Sequence, residues 1–232
     1  MTTLDHYSKA VDVCVEIMNH VKDERERRTK VGEYVNVFTL WNSFSGISEP
    51  IHSRILAFFL SSDPMHGQGN LFLNLFLKQL GIQSSMEEEW VVTAEKGRVD
   101  VMLTRYHPQP SVVIIENKSN WAGDQPNQLY RYWVQNIHRT EDDCHKEFYE
   151  KHREFQIVYL VPNNQKRPSD NSLERPSGFP SSLPDKLPIK PVEYAYNKEL
   201  VDWLNECISS LPAQNTPLIN LLTQYKEYCK YL

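Results

Sequence analysis

The sequence predicts an α/β protein whose sheet combines antiparallel and parallel strands. Four apolar segments rich in β-branched residues have the length of strands, namely Trp90–Ala94, Arg98–Thr104, Ser111–Asn117 and Phe155–Val161. The polar loop Arg105–Pro110 favours an antiparallel hairpin between the second and third strands. The helical periodicity of Asp124–His138 favours a parallel βαβ crossover between the third and the fourth.

Helices precede and follow these strands. Apolar residues recur at helical spacing over Asp5–Arg28, and a second helix is expected over Val31–Phe44, ended by Gly46. Ser48 has the character of an N-cap, with Pro50 in the first turn of the helix that follows. Further helices are expected over Leu71–Leu80, Lys198–Leu211 and Pro217–Tyr231.

We expect these elements to form a single domain of 232 residues. N-terminal helices occupy 1–46, and the core occupies 47–161. The proline-rich and polar stretch 162–191 is typical of a long mobile loop, and a strand and helices follow at 192–232.

Composition narrows the class of protein. The chain is 40% hydrophobic and 24% charged, has no run of 18 apolar residues and does not begin like a signal peptide. Its four cysteines are scattered without zinc-like spacing, which favours reduced thiols and a cytoplasmic location. The net charge of -5 argues mildly against tight nonspecific binding to duplex DNA but leaves room for a local basic groove.

Charged residues emerge where the strand Ser111–Asn117 ends. Glu116 and Lys118 lie on one face of this strand because side chains alternate, and the predicted hairpin brings Asp100 beside Glu116. Carboxylates and a backbone carbonyl, here that of Asn117, are ligands that Mg²⁺ or Mn²⁺ accepts. A surface ion pair at a strand end is the competing interpretation.

Two residues of the helix after Ser48 have alternative roles. Glu49 suits the positive end of the helix dipole, which explains a first-turn acid without any function. His52 is compatible either with a contact to substrate or phosphate or with a hydrogen-bonded position in the core.

Four short motifs in one order resemble the PD-(D/E)XK nuclease superfamily, and in particular a bacterial branch. The chain has Glu49-x-x-His52-Ser53, then Gly97-x-x-Asp100, then Glu116-Asn117-Lys118, then Gln128-Leu129-x-x-Tyr132. The resemblance covers about residues 49–161. It departs from the superfamily pattern before Asp100, where Val99 stands in place of the usual proline.

The resemblance implies a restriction-endonuclease-like core, in which a mixed sheet of four or more strands is flanked by helices. It implies that Asp100, Glu116 and Glu49 bind Mg²⁺ or Mn²⁺ and that Lys118 is the catalytic lysine. Gln128 and Tyr132, with His52, match residues that support the substrate or the lysine. The implied partner is nucleic acid. The resemblance does not distinguish DNA from RNA, of which we expect DNA, and a homodimer is compatible with the pattern.

Three functions from different classes are consistent with the sequence. The first is a metal-dependent nuclease acting in DNA restriction, repair or defence. The second is a catalytically inactive module of the same fold that binds nucleic acid or a protein. The third is an interaction protein in which Asp100, Glu116 and Lys118 form only an ion-pair network. Retention of the complete acidic set favours the first.

Overall fold

A computed structural model of the protein describes residues 3–33, 35–63 and 65–232. Contacts within the chain define two compact units, Met1–Phe44 and Ser45–Leu232. The expectation of one domain stays a prediction. None of the helices in the described ranges is long and apolar enough to cross a membrane.

The N-terminal unit contains α1 (Thr3–Lys30) and most of α2 (Val37–Ser45). The second helix begins at Val37 rather than at the predicted Val31. Gly32 has a φ of +70°, which turns the chain out of the helical conformation. Asn36 Oδ1 then accepts hydrogen bonds from the N–H groups of Phe38 and Thr39, so it caps the new helix.

The predicted mixed sheet is confirmed, and it has five strands in the order β1-β2-β3-β4-β5. The strands are β1 (Trp90–Lys96), β2 (Val99–Arg105), β3 (Ser111–Asn117), β4 (Phe155–Val161) and β5 (Val192–Ala195). The first three are antiparallel to one another, whereas β3 pairs with β4 and β4 with β5 in parallel. The strand β3 therefore lies where the two kinds of pairing meet.

Helices cover both faces of the sheet. In the described part of the larger unit the α-helices are α3 (Glu49–Leu60), α4 (Leu71–Gln79), α5 (Gln128–Tyr132), α6 (Lys146–Lys151), α7 (Asp170–Leu173), α8 (Val201–Ser209) and α9 (Thr216–Cys229). A π-helical turn, Tyr196–Leu200, precedes α8. Val112 and Ile114 of β3 belong to one buried cluster with Leu129 of α5. Asn117 faces the other way, since its Nδ2 donates to Ser53 Oγ of α3 over 3.2 Å.

Three segments differ from expectation. The predicted helix Asp124–His138 is shorter, because Asn127 has a φ of +56° and α5 starts after it, then continues as the π-helical turn Trp133–His138. The helix α6 was not predicted at all. The stretch 162–191 contains α7 and an isolated bridge between Glu174 and Lys186.

Candidate active site

The strand ends place Asp100 beside Glu116. Register between β2 and β3 pairs Val101 with Ile115, so the next pair outward is Asp100 and Glu116, on one face of the sheet. Asp100 Oδ2 accepts a hydrogen bond of 2.6 Å from the backbone N–H of Asn117. Two of the three acids predicted to bind metal therefore lie together, and the Asn117 backbone N–H holds one of them.

Lys118 faces the same carboxylates from the end of β3. Its Nζ lies 2.7 Å from Glu116 Oε1 and donates to Gln128 Oε1 over 3.3 Å. Burial alone would lower the pKa of this lysine, but the carboxylates of Glu116 and Asp124 outweigh that effect and raise it. Lys118 is thus held as an ammonium although its side chain is only 5% exposed.

Both acids have raised pKa values. Burial is the largest cause for Asp100, followed by repulsion from Glu116. Burial also raises the pKa of Glu116, against the opposing effect of Lys118. Two carboxylates that destabilise each other's ionised forms are suited to share a cation, which would remove both penalties.

Glu116 offers an oxygen for such a cation. Its Oε1 accepts hydrogen bonds, but its Oε2 is buried and has no hydrogen-bond partner within the described chain. A buried carboxylate oxygen without a partner is costly, and a divalent cation would satisfy it. Together with Asp100 and the Asn117 carbonyl, Glu116 thus supplies the hard oxygen donors that Mg²⁺ or Mn²⁺ prefers.

Glu49 is the first residue of α3 and is half-buried. Its negative charge contributes to raising the pKa of Lys118. Its Oε1 accepts a hydrogen bond of 3.2 Å from the Asn120 backbone N–H. Over residues 3–33, 35–63 and 65–232, no three His, Cys, Asp or Glu side chains are arranged to hold a metal ion together. The carboxylate pair is therefore in place, and Glu49 does not form a preorganised third ligand with it.

Gln128 and Tyr132 lie four residues apart and meet at the site. Gln128 Nε2 lies 2.8 Å from Glu116 Oε1 and 2.9 Å from the Tyr132 hydroxyl oxygen. The Tyr132 hydroxyl donates to the Arg98 carbonyl over 2.5 Å. Because Gln128 also accepts from Lys118, it orients both members of the ion pair.

The structure places His52 in the core rather than at the substrate side of the site. Its side chain is fully buried, its Nδ1 lies 3.0 Å from the Tyr225 hydroxyl, and its ring stacks on Tyr228. Burial lowers the pKa of His52 to about 4, so the ring is neutral at physiological pH. A direct contact with substrate is incompatible with this position.

Asp124 is a site residue that the sequence analysis missed. Its Oδ1 lies 3.6 Å from Lys118 Nζ and accepts a hydrogen bond of 2.7 Å from the Tyr159 hydroxyl. Its Oδ2 accepts one of 2.7 Å from the Ser169 backbone N–H. In the sequence Asp124 looks like an ordinary acid before a helix, and only the pairing of β3 with β4 reveals its place.

Tyr196 is a second residue that the sequence analysis missed. Its hydroxyl donates to Asn117 Oδ1 over 3.0 Å, and Asn117 Nδ2 donates to the Glu49 carbonyl over 2.9 Å. The side chain of Asn117 thereby joins α3 to the segment after β5. Nothing in the local sequence around Tyr196 indicates this contact.

Comparison with known proteins gives one family match. No curated protein and no solved structure gives a significant match. A family model described as the PD-(D/E)XK nuclease superfamily matches residues 35–230, which include every site residue described above. The chain belongs to the PD-(D/E)XK nuclease superfamily.

Proposed function

We propose that the protein is a metal-dependent nuclease that hydrolyses phosphodiester bonds, in DNA rather than RNA, in restriction, repair or defence. The observation that carries this proposal is the buried Oε2 of Glu116, which has no hydrogen-bond partner within the described chain. The same carboxylate lies beside Asp100, and its other oxygen lies 2.7 Å from Lys118 Nζ. An oxygen left in this state is unfavourable in a purely structural ion pair. A site that binds a cation, in contrast, needs a carboxylate oxygen that is free to coordinate it.

Each residue of the site has a separate role in hydrolysis. Asp100, Glu116 and the Asn117 carbonyl would hold Mg²⁺ or Mn²⁺, which when bound neutralises phosphate charge and makes a coordinated water more acidic. Lys118 supplies a positive charge to the phosphate or orients the attacking water, because its ammonium is kept at the site by Glu116. Gln128 fixes the directions of both side chains.

An assay of single- and double-stranded DNA and RNA with Mg²⁺ and with Mn²⁺ tests this function. Cleavage that stops when a chelator is added is the expected result. Lys118→Ala should lose turnover, whereas Lys151→Ala, an exposed lysine at the end of α6, should retain it. Lys118→Met removes the charge but keeps a side chain of similar length, and it provides the inactive variant if the alanine variant fails to fold.

The assay also separates the competing functions. Protein that binds nucleic acid at saturating metal but cleaves none of the four substrates would be an inactive module of the same fold. Protein that neither binds nor cleaves them would be an interaction protein. Either outcome refutes the nuclease.

A further inference from the structure

We propose that a cavity opening beside Asp100 is a subsite for the sugar-phosphate backbone of the nucleic-acid strand, with Arg98 and Arg131 as its phosphate ligands. The inference rests on the proposed function and extends it from the metal site to the substrate. The cavity has a volume of about 460 Å³, and besides these three residues Gln128 and Tyr132 line it. It is therefore continuous with the candidate active site.

Charge favours an anionic ligand in this cavity. Within the described chain, neither Arg98 nor Arg131 forms an ion pair with a carboxylate. Among the described residues, the Arg131 guanidinium donates to two neutral acceptors, the Pro126 carbonyl at 2.5 Å and Gln125 Oε1 at 3.4 Å. Guanidinium groups without acidic partners bind phosphate oxygens well because their planar N–H donors match phosphate geometry.

The backbone conformation of Arg98 independently indicates a function for its side chain. Gly97 and Arg98 form the two-residue turn between β1 and β2, and both have positive φ, 63° and 68°. This conformation is typical of a type I′ turn, whose second position strongly favours glycine. A large side chain kept in a strained position points to a function for that side chain.

The position of the cavity relative to the candidate metal site favours binding of the nucleic-acid backbone rather than of a base. Arg98 precedes Asp100 by two residues, roughly 7 Å along an extended chain. Its carbonyl accepts from the Tyr132 hydroxyl, which ties the turn to α5. A strand whose scissile phosphate lies at Asp100 and Glu116 would therefore bring a neighbouring phosphate to the two arginines.

Binding measured without cleavage tests the subsite separately from turnover. The probes are fluorescein-labelled single- and double-stranded DNA oligonucleotides, with fluorescence anisotropy read in Ca²⁺ at several salt concentrations. Arg98→Gln and Arg131→Gln should each weaken binding on the order of tenfold and lower the slope of log affinity against log salt by about 1. Arg153→Gln is the matched control, because Arg153 precedes β4 at the end of the sheet away from the site.

The variant Arg98→Gly distinguishes phosphate binding by Arg98 from a purely structural role of this residue. Glycine relieves the positive φ, so the melting temperature should rise while DNA affinity falls as in Arg98→Gln. Wild-type affinity and salt slope in both Arg98 variants and in Arg131→Gln would overturn the subsite, even if the protein cleaves DNA. Arginine-dependent binding in Ca²⁺, combined with no cleavage in Mg²⁺ or Mn²⁺, would uphold the subsite and refute the nuclease.

Discussion

Lys118 Nζ lies 3.6 Å from Asp124 Oδ1, so a second carboxylate faces the lysine in addition to Glu116. Asp124 also receives hydrogen bonds from Tyr159 on β4 and from Ser169 in the stretch after β4. It therefore connects the lysine to two separate parts of the larger unit. We therefore expect Asp124 to position Lys118 rather than to bind a metal ion.

We expect Asp124→Asn to lower kcat by about ten- to a hundredfold, because the lysine loses one of its two charged partners. The affinity for Mn²⁺, measured by calorimetry, should stay at the wild-type value since Asp124 is not a ligand. Tyr159→Phe removes only one hydrogen bond to Asp124 and should have a smaller effect. A parallel loss of metal affinity and kcat would assign Asp124 to the metal site instead.

Metal should stabilise the folded protein. At a concentration one hundred times the Kd, Mg²⁺ or Mn²⁺ is expected to raise the melting temperature by about 5–10 °C, because only the folded state presents Asp100 and Glu116 together. Asp100→Asn and Glu116→Gln should remove most of this shift. Differential scanning calorimetry checks the prediction, and an equal shift in wild type and Asp100→Asn would contradict a functional site at these acids.

Without metal, stability should fall as pH rises. The folded pKa of Asp100 is raised from 3.8 to about 8, so the folded state holds a proton that the unfolded state releases. This contribution is complete below the unfolded pKa and is lost as pH rises through the folded one. His52, with a pKa lowered from 6.5 to about 4, acts in the opposite direction, but only at acidic pH.

The informative window is therefore about pH 7 to 8.5, where His52 is mostly neutral in the unfolded state as well and Asp100 still titrates in the folded state. Urea unfolding in chelator should give a free energy of unfolding that declines across this window. The decline should be smaller in Asp100→Asn. A wild-type free energy that increases over the same window would show that the sign of the Asp100 effect is wrong.

Substitutions of Gln128 and of Tyr132 should lower kcat to different extents. Gln128→Ala removes the amide that contacts both Glu116 and Lys118, so we expect a loss of about ten- to a hundredfold in kcat. Tyr132→Phe leaves that amide in place and should be milder. Steady-state kinetics on one DNA substrate compares them, and equal losses in the two variants would shift the main role to the tyrosine.

Sequence patterns were sufficient for the elements that carry the chemistry. The bounds of β3 and β4 are as predicted, because each strand is built on a run of apolar residues. The register of the hairpin, which places Asp100 beside Glu116, is fixed only by the pairing of β2 with β3 in the structure. The burial of Lys118 was not predictable, since a charged residue after a strand suits a solvent-exposed end equally well. Its buried state depends on Asp124 and Gln128, which come from a later part of the chain.

His52 illustrates the same limit for the core. A histidine one turn after Glu49 is compatible with the site until the position of α9 is known. Tyr225 and Tyr228 of that helix enclose the ring, and no local pattern around His52 indicates a partner 173 residues away. Long-range packing therefore decided what the motif alone left open.

Tyr196, which holds the Asn117 side chain, is itself hydrogen-bonded to Tyr225 in α9. The support of Asn117 thus depends on a residue that the ribosome adds more than one hundred positions after Asn117 itself. A nascent chain that has reached β4 already carries Asp100, Glu116 and Lys118 but not this support. The support of Asn117 is accordingly coupled to synthesis of α9, well after the motif residues themselves have been made.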